Sequence, residues 1–333
     1  MIPNDPLGRQ WAQAALDRSH RARTGFDKVL LSLIVWGPDR RAKLLGTGFI
    51  VAPFGRQALA VSAAHNFDHA ARVQTPWSVS HPTTLPEFTL SNAVPLDCRS
   101  LRAVYSADDT VEAAMIRQVS AVPEVDIAIF AIELRDEAVG APFTHRIDID
   151  SRVPTPGQEI VTLGYRGMEV LRDEPKEEDT RVLSFRIQPV LRRGVVTRVH
   201  PQGDRMRWPS FETTVPVEAG MSGGPVLWYD PDCKAGAPVS ACGMISRDFS
   251  CDEATMSCQI AGCSTIAMLW PALGLPLWVR TAPDQVPERL LLHELIRRGI
   301  VQDPGHAASD TVARTEAGLT VGMVLPEKTW RFP

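Results

Sequence analysis

The chain has 333 residues, 44% of them hydrophobic and 22% charged, which excludes bulk disorder and fits one large globular domain or two ordinary ones. A formal net charge of -4 and a pI near 6.1 leave no basic field for a polyphosphate backbone. Nucleic acid is therefore disfavoured as a partner, and peptides or proteins are expected instead.

Taken in chain order, residues 9 to 22 place Trp11, Ala14, Ala15 and Leu16 near helical spacing with charged residues between. This predicts a short amphipathic helix within an N-terminal extension over residues 1–27. The one long apolar run of the first segment, Val29 to Trp36, is interrupted by Ser32. It suits neither a signal peptide nor a membrane span of roughly 20 apolar residues, so no membrane is expected and the cytoplasm is the default location.

From Lys28 the texture becomes short β-branched and apolar runs punctuated by Gly, Pro and Asp: Leu30 to Trp36, Leu44 to Ala52, Ala58 to Ser62, Val125 to Ile132 and Ile160 to Gly164. The second half continues with Val182 to Val190, Gly194 to His200, Phe211 to Val217, Pro225 to Trp228, Cys242 to Ser246 and Ser264 to Leu269. Such punctuation predicts an all-β barrel or sandwich. Between these runs, Arg172 to Arg181 is dense in charge and reads as a solvated loop. Pro287 opens, and Gly299 closes, a stretch in which Leu291 and Leu295, and Leu292 and Ile296, recur at helical spacing. The tail after Asp303 reads as loosely held, and no internal sequence repeat is evident.

Five of the six cysteines, Cys233, Cys242, Cys251, Cys258 and Cys263, crowd one late segment, while Cys98 stands apart. No C-x-x-C pair occurs, so a zinc site built from Cys242, Cys251, Cys258 and Cys263 ranks below reduced, free thiols. No metal or cofactor is expected.

Three segments carry chemistry. Ser222 lies in Gly220-Met221-Ser222-Gly223-Gly224-Pro225, where flanking glycines allow a tight turn that can aim its own N–H groups at an oxyanion. The same residues satisfy G-x-S-x-G, the nucleophile elbow of α/β-hydrolases, so this motif alone does not choose a fold. His65 ends Val61-Ser62-Ala63-Ala64-His65, downstream of Gly46-Thr47-Gly48-Phe49-Ile50-Val51, and Asp126 begins Asp126-Ile127-Ala128-Ile129-Phe130. The order His, Asp, Ser is that of the chymotrypsin arrangement. An α/β-hydrolase runs Ser, Asp, His and would need His293 or His306, from a predicted helix and a polar tail.

On G-T-G-F-I-V with S-A-A-H, V-D-I-A-I, L-R-R-G-V-V-T-R-V and G-M-S-G-G-P, the chain resembles the trypsin-like peptidases over roughly residues 28 to 280. The likeness is greatest to the bacterial branch that includes HtrA-type and glutamyl-endopeptidase-type enzymes. The resemblance implies two six-stranded antiparallel β-barrels, the first over 28–150 with His65 and Asp126, the second over 151–280 with Ser222. The sequence adds short flanking N- and C-terminal helices, the latter within 281–333. The implied activity is serine endopeptidase. Ser222 is the nucleophile, His65 the general base, Asp126 the residue orienting that base, and the N–H groups of Gly220 and Ser222 the oxyanion hole.

Two departures from the family pattern matter. Zymogen-type members carry an acidic residue before the nucleophile, to pair with a freshly cleaved amine, and this chain has Met221. A site formed constitutively, or ordered by a regulatory protein partner or the flanking helices, is expected. The position at the base of the primary pocket is Pro216, with no carboxylate. A small or apolar substrate side chain is expected there, with Met244, Ser246 and the segment Gly262 to Thr265 as walls.

Blander readings exist for each residue: a serine in a glycine turn is usually structural, His65 taken singly is a core histidine, and Asp126 a turn residue or cap. Asp108 and Asp109 are the minor alternative for the orienting carboxylate, and His20, His69, His81, His145 and His200 receive no role. Beside the endopeptidase stand a catalytically silent trypsin-fold binding module and, third, an α/β-hydrolase esterase.

Overall fold

The computed structural model describes residues 12–15, 25–74, 96–107, 110–122, 125–134, 143–177, 180–203, 208–230, 239–248, 264–279, 286–304, 311–315 and 318–322. The first described element is strand β1 (Ala12–Ala15), followed by β2 (Leu30–Trp36), β3 (Ala42–Phe54), β4 (Gln57–Ala63) and helix α1 (Ala64–Gln74). Next come β5 (Leu101–Ala107), β6 (Thr110–Val122) and β7 (Ile127–Glu133). Strands β2 to β7 close a barrel in the order β2-β3-β4-β7-β6-β5.

Sequence explains why these strands sit where they do. Along β7, Ala128, Phe130 and Ile132 fill the barrel interior, while Ile127 and Ile129 join a cluster shared with second-half residues such as Leu163 and Leu227. Alternate side chains thus feed two cores, which is why this strand is apolar almost throughout. β2 behaves likewise: Leu31, Leu33 and Val35 point inward, and Leu30 and Ile34 pack outside. Each such fully buried aliphatic side chain contributes about 1.5–3 kcal/mol over exposure.

A short β8 (Asp148–Ile149) leads to the second half: β9 (Glu159–Glu177), β10 (Thr180–His200), β11 (Ser210–Thr213), β12 (Pro225–Trp228), β13 (Ser240–Asp248) and β14 (Ser264–Met268). The pairings β9–β10, β10–β11, β11–β14, β14–β13, β13–β12 and β12–β9 return to their starting strand, so these six also form a ring. Numbering the strands within each ring gives the same order twice, one-two-three-six-five-four. The repeat that the sequence hides is architectural. β8 adds to β13 in parallel, and β1 adds to β10 antiparallel, with Ala12 opposite Arg193 and Ala15 opposite Val190. Beyond the rings lie β15 (Pro276–Val279) with β16 (Glu288–Leu291), helix α2 (Leu292–Arg297), and β17 (Thr311–Thr315) with β18 (Gly318–Gly322). No helix among the described residues is long and apolar enough to cross a membrane.

The all-β, double-barrel architecture is the one expected, with four local corrections. The N-terminal helix is instead a strand over Ala12–Ala15, because β10 offers unpaired backbone groups beside Val190 to Arg193, and that pairing outweighs the helix preference of alanine. The C-terminal helix is confined to Leu292–Arg297, since Glu288–Leu291 pairs with β15. The charged stretch expected as a loop is the far end of the β9–β10 hairpin, with Asp173 opposite Leu183 and Glu174 opposite Val182. The tail after Asp303 contains the β17–β18 pair.

Candidate active site

His65 and Asp126 meet because β4 and β7 are neighbours, with Ala63 opposite Ile127. Residues just past the end of one strand and just before the other are thereby adjacent, although 61 positions apart. His65 lies in the first turn of α1 and follows the fully buried Ala63 and Ala64. Asp126 has φ 52, a left-handed conformation that aspartate tolerates better than most side chains. Its carbonyl accepts from the Ala64 amide at 3.1 Å, and its Oδ1 accepts from the His65 amide at 3.0 Å.

The imidazole Nδ1 is 2.9 Å from both carboxylate oxygens of Asp126. An ionised carboxylate only accepts, so Nδ1 carries the proton and Nε2 presents its lone pair. Ser222 Oγ is 2.6 Å from that Nε2. Burial, the largest single influence on Asp126, favours its neutral acid, but the His65 charge and hydrogen bonds from His65 and Ser246 together outweigh it and hold the carboxyl below its ordinary range.

Ser222 stands on a turn that the first barrel grips. Its carbonyl accepts from the Thr47 amide at 2.8 Å and from Asn66 Nδ2 at 3.2 Å. A Cβ on Gly223, whose φ is 87, would sit 2.0 Å from the Thr47 carbonyl and 2.3 Å from Ser62 Oγ, so only glycine lets the second barrel approach this closely. Ahead of the serine, the Met221 amide donates to the Glu218 carbonyl at 3.0 Å. With Gly220 at φ 94, Glu218–Met221 is a four-residue turn with glycine at its third position, as type II turns require. Among the described residues, the Gly220 and Ser222 amides have no acceptor. The Gly220 carbonyl accepts from Thr47 Oγ1 at 2.7 Å, and that oxygen accepts from the Tyr165 amide at 3.0 Å.

The structure thus brings His65, Asp126, Ser222 and Gly220 together. It treats the three expected pocket residues differently. Met244 is fully buried in the core, so the expectation that it walls an open pocket is corrected: it lies opposite Pro225 in the β12–β13 pair. Ser246 is at the site in another capacity, because its hydroxyl donates to Asp126 Oδ2 and its carbonyl lies 2.8 Å from Ser222 Oγ. The Pro216 carbonyl accepts from the guanidinium of Arg192. Ser264 donates to the Val215 carbonyl, while Gly262 lies outside the described residues, as do Cys233, Cys251, Cys258, Cys263, Asp108, Asp109, His20, His81 and His306. Among the described residues no group of three or more His, Cys, Asp or Glu side chains forms a metal site. Cys242 is buried, and burial pushes its thiol far up.

Sequence reasoning missed Ser246 as a partner of Asp126, Asn66 and Thr47 as holders of the nucleophile's peptide, and Arg192. Only Thr47 had a signal, its place in Gly46-Thr47-Gly48. His293, the base an α/β-hydrolase would require, is buried on α2, and the Ser222 hydroxyl faces His65 instead. With both rings antiparallel, the esterase reading is set aside.

A family model described as a trypsin-like peptidase domain matches residues 46–231, a span that contains His65, Asp126 and Ser222. No curated protein matches the chain. Among solved structures, the chain is similar to the MamO protease domain of Magnetospirillum magneticum in its apo form, at 12% identity and a TM-score of 0.38, over 73% of this chain and 93% of that one.

Proposed function

This chain belongs to the trypsin-like peptidase family, and from that premise we propose that it is a serine endopeptidase working through Ser222, His65 and Asp126. The observation that carries the reading is the unbroken contact line from Ser222 Oγ to His65 Nε2 at 2.6 Å, and from Nδ1 to Asp126 at 2.9 Å. Ser222 Oγ attacks the carbonyl carbon of the scissile peptide as Nε2 takes the hydroxyl proton. The carbonyl oxygen becomes an oxyanion held by the N–H groups of Gly220 and Ser222. Collapse of this adduct breaks the C–N bond as Nε2 returns the proton to the leaving amine, leaving an ester on Ser222. A water then attacks the ester, giving its proton to Nε2, and release of the carboxylic acid restores the serine.

The motifs G-T-G-F-I-V and G-M-S-G-G-P support placement with the bacterial HtrA-type and glutamyl-endopeptidase-type branch. Pro216, which brings no carboxylate to the pocket base, supports a small or apolar side chain before the cleaved bond. A second reading, a silent binding module, draws on one observation: Ser222 Oγ also lies 2.8 Å from the Ser246 carbonyl, and a hydroxyl has one proton to donate. Labelling with a fluorophosphonate decides between them. The endopeptidase labels, loses the label in Ser222→Ala, and loses about six orders of magnitude in turnover with it. An intact wild type that neither labels nor cleaves a peptide panel supports the silent module.

A further inference from the structure

Arg192 is 1% exposed, on a stretch of β10 whose inward neighbours Val190 and Val196 belong to an all-apolar cluster that also contains Met221. A guanidinium in such a place is costly unless its donors are satisfied. Its two terminal nitrogens reach one short segment. Nη1 donates to the Pro216 carbonyl and lies 3.6 Å from Met221 Sδ, and Nη2 pairs with Glu218 Oε1. All three partners lie within the six residues before Ser222, and Glu218 opens the turn that ends at Met221. Arg166 reaches Glu218 from the outer side at 3.4 Å. At the far end of the same turn, Thr47 Oγ1 holds the Gly220 carbonyl, and a Cβ on Gly220 would meet Met168 Sδ at 2.8 Å and the Tyr165 carbonyl at 2.9 Å.

We propose that Arg192 is a positioning residue, a built-in cation that locks the Pro216–Met221 segment in the form that leaves the Gly220 and Ser222 amides free for an oxyanion. Met221 gives the residue before the nucleophile no carboxylate, so a newly cut amine has nothing to pair with at that position. Arg192 supplies a fixed positive charge from inside the barrel, and Glu218 receives it. β1 runs alongside this part of β10, with Gln13 opposite Arg192, which ties the strand bearing the cation to the N-terminal segment. The order of the turn is then independent of proteolytic clipping. The catalytic part of the proposal rests on the endopeptidase reading, while the ordering of the turn does not.

The test uses the full-length protein with Arg192→Met, Arg192→Lys and Glu218→Gln. Amide hydrogen exchange is measured over 216–224, with 61–66 as internal reference, together with kcat and KM normalised to fluorophosphonate-labelled sites. In Arg192→Met, exchange over 216–224 rises at least about tenfold while 61–66 is unchanged. The kcat falls about a hundredfold with KM within about threefold, as for loss of an oxyanion donor. Arg192→Lys recovers part of both effects. Glu218→Gln, altered at a half-exposed side chain, shows the exchange change in weaker form and decides the matter should Arg192→Met not fold. Wild-type exchange over 216–224 in the variants, or a rise spread evenly over the second barrel, overturns the proposal. A wild type that fails to label or cleave overturns the endopeptidase reading, and the exchange result still decides whether Arg192 holds the turn.

Discussion

At the residue scale, Asp126 does three things from one strained position: it orients His65, caps the start of α1 through the His65 amide, and accepts from Ser246. Replacing it with asparagine keeps the shape but permits an amide donor toward Nδ1, which puts the ring proton on Nε2, so the imidazole turns an N–H rather than a lone pair toward Ser222. Asp126→Asn is expected to lower kcat about ten-thousandfold, read on a peptide substrate with folding checked by circular dichroism. Ser246→Ala removes one hydrogen bond to the same carboxylate, worth about 1.5–3 kcal/mol, and a roughly ten- to hundredfold loss is expected; an unchanged rate would make Ser246 a bystander. Gly223→Ala forces a methyl into the space of the Thr47 carbonyl. A destabilisation of about 3 kcal/mol by urea unfolding, with loss of labelling, is the expected outcome. His65, Asp126 and Ser222 were legible because each sits in a short, unusual local context. The tie of Ser246 to Asp126 and the role of Arg192 were not, since each lies in an ordinary strand and gains its meaning from a partner 120 or 26 positions away.

At the scale of elements, the β9–β10 hairpin does more than complete the second ring. Its outer part carries Val170, Leu183 and Phe185 onto Ile34, Ala42 and Val104 of the first barrel, and Asp173 Oδ2 accepts from the Ala42 amide at 2.7 Å. It therefore straps one barrel to the other through contacts that involve none of the triad residues. Truncating Leu183 and Phe185 together to alanine removes partly buried apolar surface, and a loss of about 2–3 kcal/mol is expected. The kcat per labelled site should stay within about twofold, because no residue at the triad is touched; a large fall would show that the strap sets the catalytic geometry. Sequence reading misplaced this element for a physical reason. A hairpin solvated on one face has the charge density of a loop, and the residues its apolar face packs on, Ile34, Ala42 and Val104, lie far earlier in the sequence. β5 and β6 escaped for a related reason: Val111-Glu112-Ala113-Ala114-Met115 is built from residues that favour helix in isolation, and cross-strand pairing with β5 and β7 overrides that preference.

At the scale of the whole molecule, two carboxyls, Asp126 beside His65 and Glu218 in the turn before Ser222, link folding to pH. Burial acts on both toward the neutral acid and is the largest single influence. In Asp126 it is outweighed by His65 and Ser246, and in Glu218 by Arg192 and Arg166, so both sit below their ordinary values. A carboxyl lowered on folding stabilises fully above its unfolded value of about 4, and that contribution drains away as pH falls through the lower native value. The unfolding midpoint should hold steady from neutral pH to about 5 and drop below about 4, with a shallower drop in Asp126→Asn and Glu218→Gln. An equal acid slope in all three proteins would assign acid lability elsewhere. The all-β class was visible in the punctuation of the sequence and two barrels were implied by the family resemblance, but the repeated strand order was not visible, because ring closure depends on which edges meet.

The nucleophile's own peptide is a rivet between the halves, its carbonyl held by Thr47 and Asn66 of the first barrel while its backbone belongs to the second. His65 and Asp126 both belong to the first barrel, yet Ser222 lies nearly a hundred residues further along the chain. If Ser222 and His65 act as proposed, a polypeptide holding only the earlier ring lacks the nucleophile, and one holding only the later ring lacks the proton acceptor. On the proposed endopeptidase reading, cutting power therefore requires both rings, joined at this one peptide.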